Sequence, residues 1–274
     1  MDRKKLQQIS SKVRINIIKS LQQAGSGHPG GSLSCTDLLT ALYFNCLKHD
    51  PKKPNWNERD LFILSKGHAC PAHYAVLAEA GYFPVDELLT LRKCGSRLQG
   101  HPSSDNGLPG VEIASGSLGM GLSIGVGAAL GFLVQKKDSR VYVLMSDGEQ
   151  QEGSTWEAAM AAGHYKLDNI CAVLDYNGLQ IDGKVEDVMG IDSLIDKYRS
   201  FRWEVIEIDG HDYNQILDAY TKARQIKNKP TIVIARTIKG KGVSFMEDVA
   251  GWHGKTPNAE EAGRAIQEIL DSGA

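Results

Sequence analysis

Hydrophobic residues recur along this chain at two spacings. From Leu6 through Ile9, Val13, Ile17 and Leu21 they fall at the three-to-four-residue interval of one helix face. That pattern predicts an amphipathic helix and not the apolar block of a signal peptide. Short β-rich runs at 61–65, 141–145, 170–175, 204–208 and 231–237 predict strands, with helical patterns at 36–47, 154–166, 214–227 and 259–270. Strands apolar on both faces and separated by helices imply an α/β fold, a doubly wound parallel sheet flanked by helices. With no internal repeat, low-complexity tract or linker, residues 1–274 are expected to form a single domain.

One stretch needs a separate reading. Residues 113–135 carry no charge and contain two G-x-x-x-G spacings, Gly121–Gly125 and Gly127–Gly131, which would suit a spanning helix. Six glycines and three serines dilute its hydrophobicity, and no other segment resembles it. A buried helix in a soluble core is the expectation, and no membrane association. Gly125-Val126-Gly127 lacks the preceding strand and the acidic residue of a dinucleotide fingerprint. Gly254-Lys255-Thr256 lacks the first glycine of a P-loop, because position 249 is Val.

Charge narrows the field further. With 31 Lys+Arg against 33 Asp+Glu the formal charge is −2, and no basic block favours nucleic acid. The five cysteines are odd in number and contain no C-x-x-C pair, so a reduced, cytoplasmic protein is expected. Glycine is abundant, 29 of 274 residues, and much of it lies beside histidine. His28, His68, His101, His164 and His211 each follow a glycine, and His253 sits in Gly251-Trp252-His253-Gly254. Ser65-Lys66-Gly67-His68 directly follows a predicted strand, the edge where open parallel sheets bind ligands. Four such histidines, at 28, 68, 101 and 253, point to a shared polar site.

The segment with the clearest chemistry follows the strand at 141–145. Asp147-Gly148 would place a carboxylate at a strand end beside a glycine whose N–H can approach a phosphate. The next strand ends in Asp175-Tyr176-Asn177-Gly178, offering the Asn177 amide oxygen and the Leu179 carbonyl. One carboxylate and two neutral oxygens suit Mg²⁺, which keeps few protein ligands. An ordinary Asn-Gly turn and a solvated acidic loop would account for either segment alone. Their separation by one strand–helix–strand unit favours a joint site.

Together these residues resemble the transketolases. Asp147-Gly148, Glu152-Gly153, Glu157-Ala158 and Asn177 resemble that family's thiamine diphosphate motif. Gly27-His28-Pro29-Gly30, Ser65-Lys66-Gly67-His68, Gly100-His101-Pro102, Pro109-Gly110-Val111-Glu112 and Gly116-Ser117-Leu118-Gly119 follow the same pattern, in order, over nearly the whole chain. The resemblance implies that Asp147, Asn177 and the Leu179 carbonyl bind Mg²⁺, with Ca²⁺ as a substitute. Gly148 N–H, His68 and His253 would contact the diphosphate, and Gly116 and Leu118 the aminopyrimidine. His28, His101 and His253 would face the reacting carbons of a sugar phosphate, with His68 also in the catalytic set. Glu152 and Glu157 would join a polar network between paired active sites. Ser146 and Met120 depart from the family pattern, where Gly and Gln are common, without removing a ligand.

Transketolases have three domains and more than twice this length. The resemblance therefore implies the N-terminal subunit of a split enzyme, transferring a two-carbon ketol unit from a ketose phosphate to an aldose. The activating glutamate and most sugar-phosphate contacts would lie on a C-terminal subunit carrying the pyrimidine-binding and C-terminal domains, in an α2β2 heterotetramer. The competing readings are the α subunit of a 2-oxo acid dehydrogenase, a deoxyxylulose-phosphate synthase fragment, a non-catalytic cofactor-binding subunit and a Rossmann oxidoreductase. A zinc site at His68, Cys70 and His73 is a further alternative, although a helix start explains that spacing as well.

Overall fold

The computed structural model describes residues 2–272. Helix α1 (Arg3–Ala24) begins where the Asp2 side chain accepts the Lys5 N–H at 2.9 Å and ends at Gly25 in the left-handed conformation. Its buried stripe of Leu6, Val13, Ile17 and Leu21 is the one the periodicity predicts. Then come α2 (Pro29–Ser34), α3 (Thr36–Ala41), strand β1 (Leu61–Leu64) and α4 (Cys70–Glu79). The expected helix at 36–47 is α-helical only to Ala41, and Leu42–Cys46 widens into a π turn, with Leu47 N–H bonded to the Leu42 carbonyl.

Helix α5 (Met120–Val134) and strand β2 (Val141–Ser146) precede α6 (Gly153–His164) and β3 (Ile170–Tyr176). A short antiparallel ladder of β4 (Leu179–Gln180) and β5 (Gly183–Lys184) then leads through α7 (Val185–Met189) and α8 (Leu194–Ser200) to β6 (Glu204–Asp209). Helix α9 (Tyr213–Gln225), strand β7 (Thr231–Arg236) and α10 (Ala259–Ser272) complete the chain. The main sheet is wholly parallel, in the order β1-β2-β3-β7-β6.

Alternation along the strands builds two cores. Phe62, Leu64, Tyr142, Leu144, Val173 and Val233 belong to a core shared with α1, α3, α4, α9 and α10. Ile63, Val143, Met145, Ala172, Leu174 and Ile232 belong to the opposite core with α5, α6 and α8. Helices therefore cover both faces, as a doubly wound sheet requires. Because every strand runs the same way, all their carboxyl ends open at one edge.

The uncharged stretch at 113–135 differs from expectation in two respects. Its first seven residues are not helical, because the chain turns at Gly119 (φ 81°) before α5 begins. Nor is α5 fully buried: Gly121, Leu122, Gly125, Val126 and Ala129 face the sheet, whereas Met120, Ile124, Leu133 and Val134 are exposed. Among the described residues no helix is long and apolar enough to cross a membrane.

Candidate functional site

The carboxyl ends of β1, β2, β3 and β7 converge on a cavity of about 330 Å³. Its lining includes His28, His68, His101, His253, Gly116, Leu118, Asp147, Gly148, Glu152, Asn177 and Leu179. All the residues singled out from the sequence as catalytic, cofactor-binding or metal-binding thus meet at one place. Parallel pairing explains the convergence: Ser146 on β2 is in register with Asp175 on β3, so the turns after both strands are neighbours.

Asp147 is buried, with Oδ1 accepting the Gly148 N–H at 2.8 Å and Oδ2 the Gly178 N–H at 2.5 Å. Burial, then repulsion from Asp175, raises its pKa to about 6. Asn177 Oδ1 accepts the Leu179 N–H at 3.2 Å, and the Leu179 carbonyl accepts Lys239 Nζ at 3.0 Å. The Gly148 N–H expected to face a phosphate is bonded to Asp147 in this arrangement.

Four imidazoles face one another across the cavity. The ring centroids of His28 lie 5.4 Å from His68, 5.4 Å from His253 and 6.1 Å from His101. Burial and neighbouring cations hold all four neutral. His28 is lowered to about 4 by burial, then by Arg92, and His253 to about 3 by burial, then by Lys239. His68 lies well below the usual range through burial and Lys66, and His101 is lowered by burial and Arg92. Neutral rings can each offer one N–H and accept one hydrogen bond.

Beneath the cavity lie residues to which the sequence pattern gave no role. Lys66 is fully buried and pairs with Asp175 while donating to the Gly31 carbonyl at 2.9 Å. Burial works against its charge, but Asp175 prevails and its pKa is raised. Ser34 Oγ and Thr237 Oγ1 donate to the same carboxylate. Lys239 has no carboxylate partner among the described residues: its Nζ meets only the Leu179 carbonyl and, at 3.0 Å, His253 Nδ1. Burial and Lys66 lower its pKa to about 8.

Glu149, also missed, ties the strand ends together. It accepts Ser65 Oγ, the Gly119 N–H at 2.8 Å and the Ser146 N–H at 3.2 Å. The signal for Lys66 and Lys239 was positional, since each lies within three residues of a strand's carboxyl end. Glu149 lies three residues past the end of β2 and carried the same positional signal, but its tie to Ser65 and Gly119 comes from segments distant in sequence.

The donor set fits a metal-bridged diphosphate. Asp147, Asn177 and the Leu179 carbonyl supply hard oxygens, the Lys239 ammonium, unpaired with any carboxylate among the described residues, biases the floor toward an anion, and His28 Nδ1 is buried without a partner. Zinc is not supported at His68, Cys70 and His73. Cys70 Sγ is directed at the Gly100 carbonyl and His73 Nε2 at Tyr43 Oη. No cluster of three His, Cys, Asp or Glu able to hold a metal occurs among the described residues.

Fold and cavity together define an α/β domain whose strand-end cleft combines three oxygen donors, two lysines and four neutral histidines. Residues 5–270 match the family model described as "Transketolase, thiamine diphosphate binding domain". The chain is 43% identical over 262 residues to one of the subunits of apulose-4-phosphate transketolase from Phocaeicola vulgatus, covering 96% of this chain and 92% of that one. It is 41% identical to the 6-deoxy-6-sulfo-D-fructose transketolase subunit SqwG of a Clostridium species, covering 98% of this chain and 99% of the relative. The crystal structure of transketolase from Campylobacter jejuni superposes with a TM-score of 0.93 at 33% identity, covering 98% of this chain but only 43% of that one. The chain belongs to the transketolase family and comprises its thiamine diphosphate binding domain. Membership in that family replaces the Rossmann, 2-oxo acid dehydrogenase and deoxyxylulose-phosphate synthase readings.

Proposed function

We propose that this chain is the cofactor-binding subunit of a two-chain transketolase, moving a two-carbon ketol unit from a ketose phosphate to an aldose. The observation that carries the reading is the single cavity in which His28, His68, His101 and His253 face Asp147, Asn177 and Leu179. Thiamine diphosphate, when bound, supplies the carbon nucleophile and the electron sink. Asp147, Asn177 and the Leu179 carbonyl would hold Mg²⁺, or Ca²⁺ in its place, where it would offset the charge of the diphosphate. Gly148, His68, His253 and Lys239 would contact the diphosphate, and Gly116 and Leu118 would meet the aminopyrimidine through their backbone. His28, His101 and His253, neutral at physiological pH, accept protons from sugar hydroxyls and donate hydrogen bonds to the carbonyl oxygen.

The partner is a C-terminal subunit with the pyrimidine-binding and C-terminal domains, in an α2β2 assembly in the cytoplasm. Three features support it. The similar proteins of matching length are named as subunits. Glu152 and Glu157 are exposed although the family places such carboxylates in a network between sites. Ile124, Leu133 and Val134 of α5 and Met160 of α6 leave an apolar surface uncovered. Pentose phosphates are the default substrates, with sulfonated sugars as the alternative.

The test is a tagged pull-down from native cells in thiamine diphosphate and Mg²⁺, with mass spectrometry of co-purified chains and a ketol-transfer assay. A stoichiometric partner resembling the other transketolase domains, with activity, is expected. A chain that elutes alone yet binds the cofactor would replace this reading with a non-catalytic one.

A further inference from the structure

Outside the cofactor cavity, past His101, lies an open polar groove of about 820 Å³. His101 lines both spaces, so a ligand leaving the histidine cluster on that side enters the groove. Ser26, Gln99, Ser103 and Asn106 supply hydrogen-bonding groups, and Arg92 supplies the positive charge.

The placement of Arg92 is unusual. Its φ is +61°, a region that non-glycine residues rarely occupy. The turn that fixes it is closed by Arg92 N–H bonding to the Leu98 carbonyl at 2.8 Å. The side chain packs over the two glycines that precede the substrate-facing histidines. A Cβ on Gly100 would sit 2.8 Å from Cζ, and one on Gly27 would sit 3.7 Å from Nε. The guanidinium is thereby set against the backbone that carries both His28 and His101.

Its charge is also unanswered. Arg14, Arg59 and Arg97 each form a paired bond to a carboxylate, with Asp37, Glu112 and Glu87 respectively. Arg92 has no such partner among the described residues, and its guanidinium reaches only Ser26 Oγ at 3.3 Å. Of the other nearby cations, Lys66 pairs with Asp175 and Lys255 with Glu261, whereas Lys239, also without a carboxylate, is held inside the cofactor cavity by the Leu179 carbonyl and His253. A planar, unpaired guanidinium beside hydroxyl and amide groups matches a tetrahedral oxyanion.

We propose that Arg92 is an anion-recognising residue contributed by this chain to the substrate site, selecting sugars that carry a phosphate or sulfonate at the end remote from the reacting carbonyl. The proposal rests on the transketolase reading and deepens it, since it assigns part of the sugar's anionic grip to this chain and not only to the partner.

The test uses the complex with its partner chain, thiamine diphosphate and Mg²⁺, comparing wild type with Arg92→Gln and Arg92→Lys. Each is assayed with a ketose phosphate, the corresponding ketose sulfonate and the same ketose without an anion. Arg92→Gln is expected to lower kcat/KM for the charged sugars by on the order of tenfold more than for the neutral one, mainly through KM, with partial recovery in Arg92→Lys. The larger loss between phosphate and sulfonate identifies the anion served. An equal loss on charged and neutral sugars, or failure of Arg92→Gln to assemble with the partner, would overturn the proposal. Calorimetric binding separates the two claims. A wild-type complex that turns over none of the sugars defeats the transketolase reading, whereas equal wild-type Kd values for charged and neutral sugars defeat the role of Arg92 regardless of turnover.

Discussion

Replacing Asp147 with Asn should stabilise the metal-free protein while removing its ability to gain stability from metal. The carboxylate is buried and its pKa is raised from 3.8 to about 6, chiefly by burial and then by Asp175. Holding it ionised at pH 7.5 therefore costs roughly 3 kcal/mol relative to the unfolded chain. The sign follows from the direction: the cost is fully present above pH 6, shrinks as pH falls through 6 and vanishes below 3.8. Asn keeps the shape and can still accept the Gly148 N–H, but its Nδ2 would face the Gly178 N–H that Oδ2 now accepts at 2.5 Å. That lost bond, made to a charged carboxylate, returns about 1.5 kcal/mol or somewhat more, leaving a net gain of up to about 1.5 kcal/mol. For a domain of this size the melting temperature should rise by up to roughly 6 °C. Differential scanning calorimetry in EDTA at pH 7.5 and pH 5 reads the effect, which should be smaller at pH 5. Adding Mg²⁺ and thiamine diphosphate should reverse the order, because only wild type is stabilised by ligand. An Asp147→Asn protein that melts at or below wild type in EDTA would refute the charge argument. One that gains as much from Mg²⁺ and cofactor would refute the metal assignment.

Other consequences are equally direct. Lys66→Met should cost about 3–5 kcal/mol by stranding the buried Asp175 carboxylate, whereas Lys66→Met combined with Asp175→Leu should recover much of it; denaturant titration measures both. Gly163→Ala, which in an open helix would gain up to about 1 kcal/mol, should instead lose about 1–3 kcal/mol, because the added Cβ overlaps the Phe201 carbonyl. Thermal melts distinguish gain from loss. The depressed pKa values of His28, His73 and His253, about 4, 3 and 3, keep these rings neutral when folded. Their stabilising share is complete above pH 6.5 and is lost as pH falls toward 3, so the metal-free protein should weaken steadily below pH 6.5 in urea titrations. Val134→Glu on α5, where Val134 is 83% exposed, should change the isolated chain's stability by no more than about 0.5 kcal/mol. If α5 meets the partner, the same change should weaken complex formation by sedimentation analysis.

Much of this protein was legible in its sequence, because the information was local. The stripe on α1 and the alternation of apolar strands with helices needed only periodicity to indicate a parallel sheet. The Asp147-Gly148 and Asn177-Gly178 turns and the glycine–histidine loops carried their chemistry in adjacent residues. Tertiary structure decided what depends on contacts distant in sequence. The five-strand order, with β7 between β3 and β6, brings Lys239 beneath the same cavity as Lys66. Ser65 and Gly119 converge on Glu149 from two segments distant in sequence. The uncharged stretch read as a buried helix leaves Met120, Ile124, Leu133 and Val134 exposed, since hydrophobicity alone does not tell which face meets the sheet. Likewise the histidines, ordinary titrating groups in isolation, are held neutral by burial and the charges of Lys66, Arg92 and Lys239. Composition placed the reactive groups, and the low-dielectric cleft formed by distant strand ends set their charge.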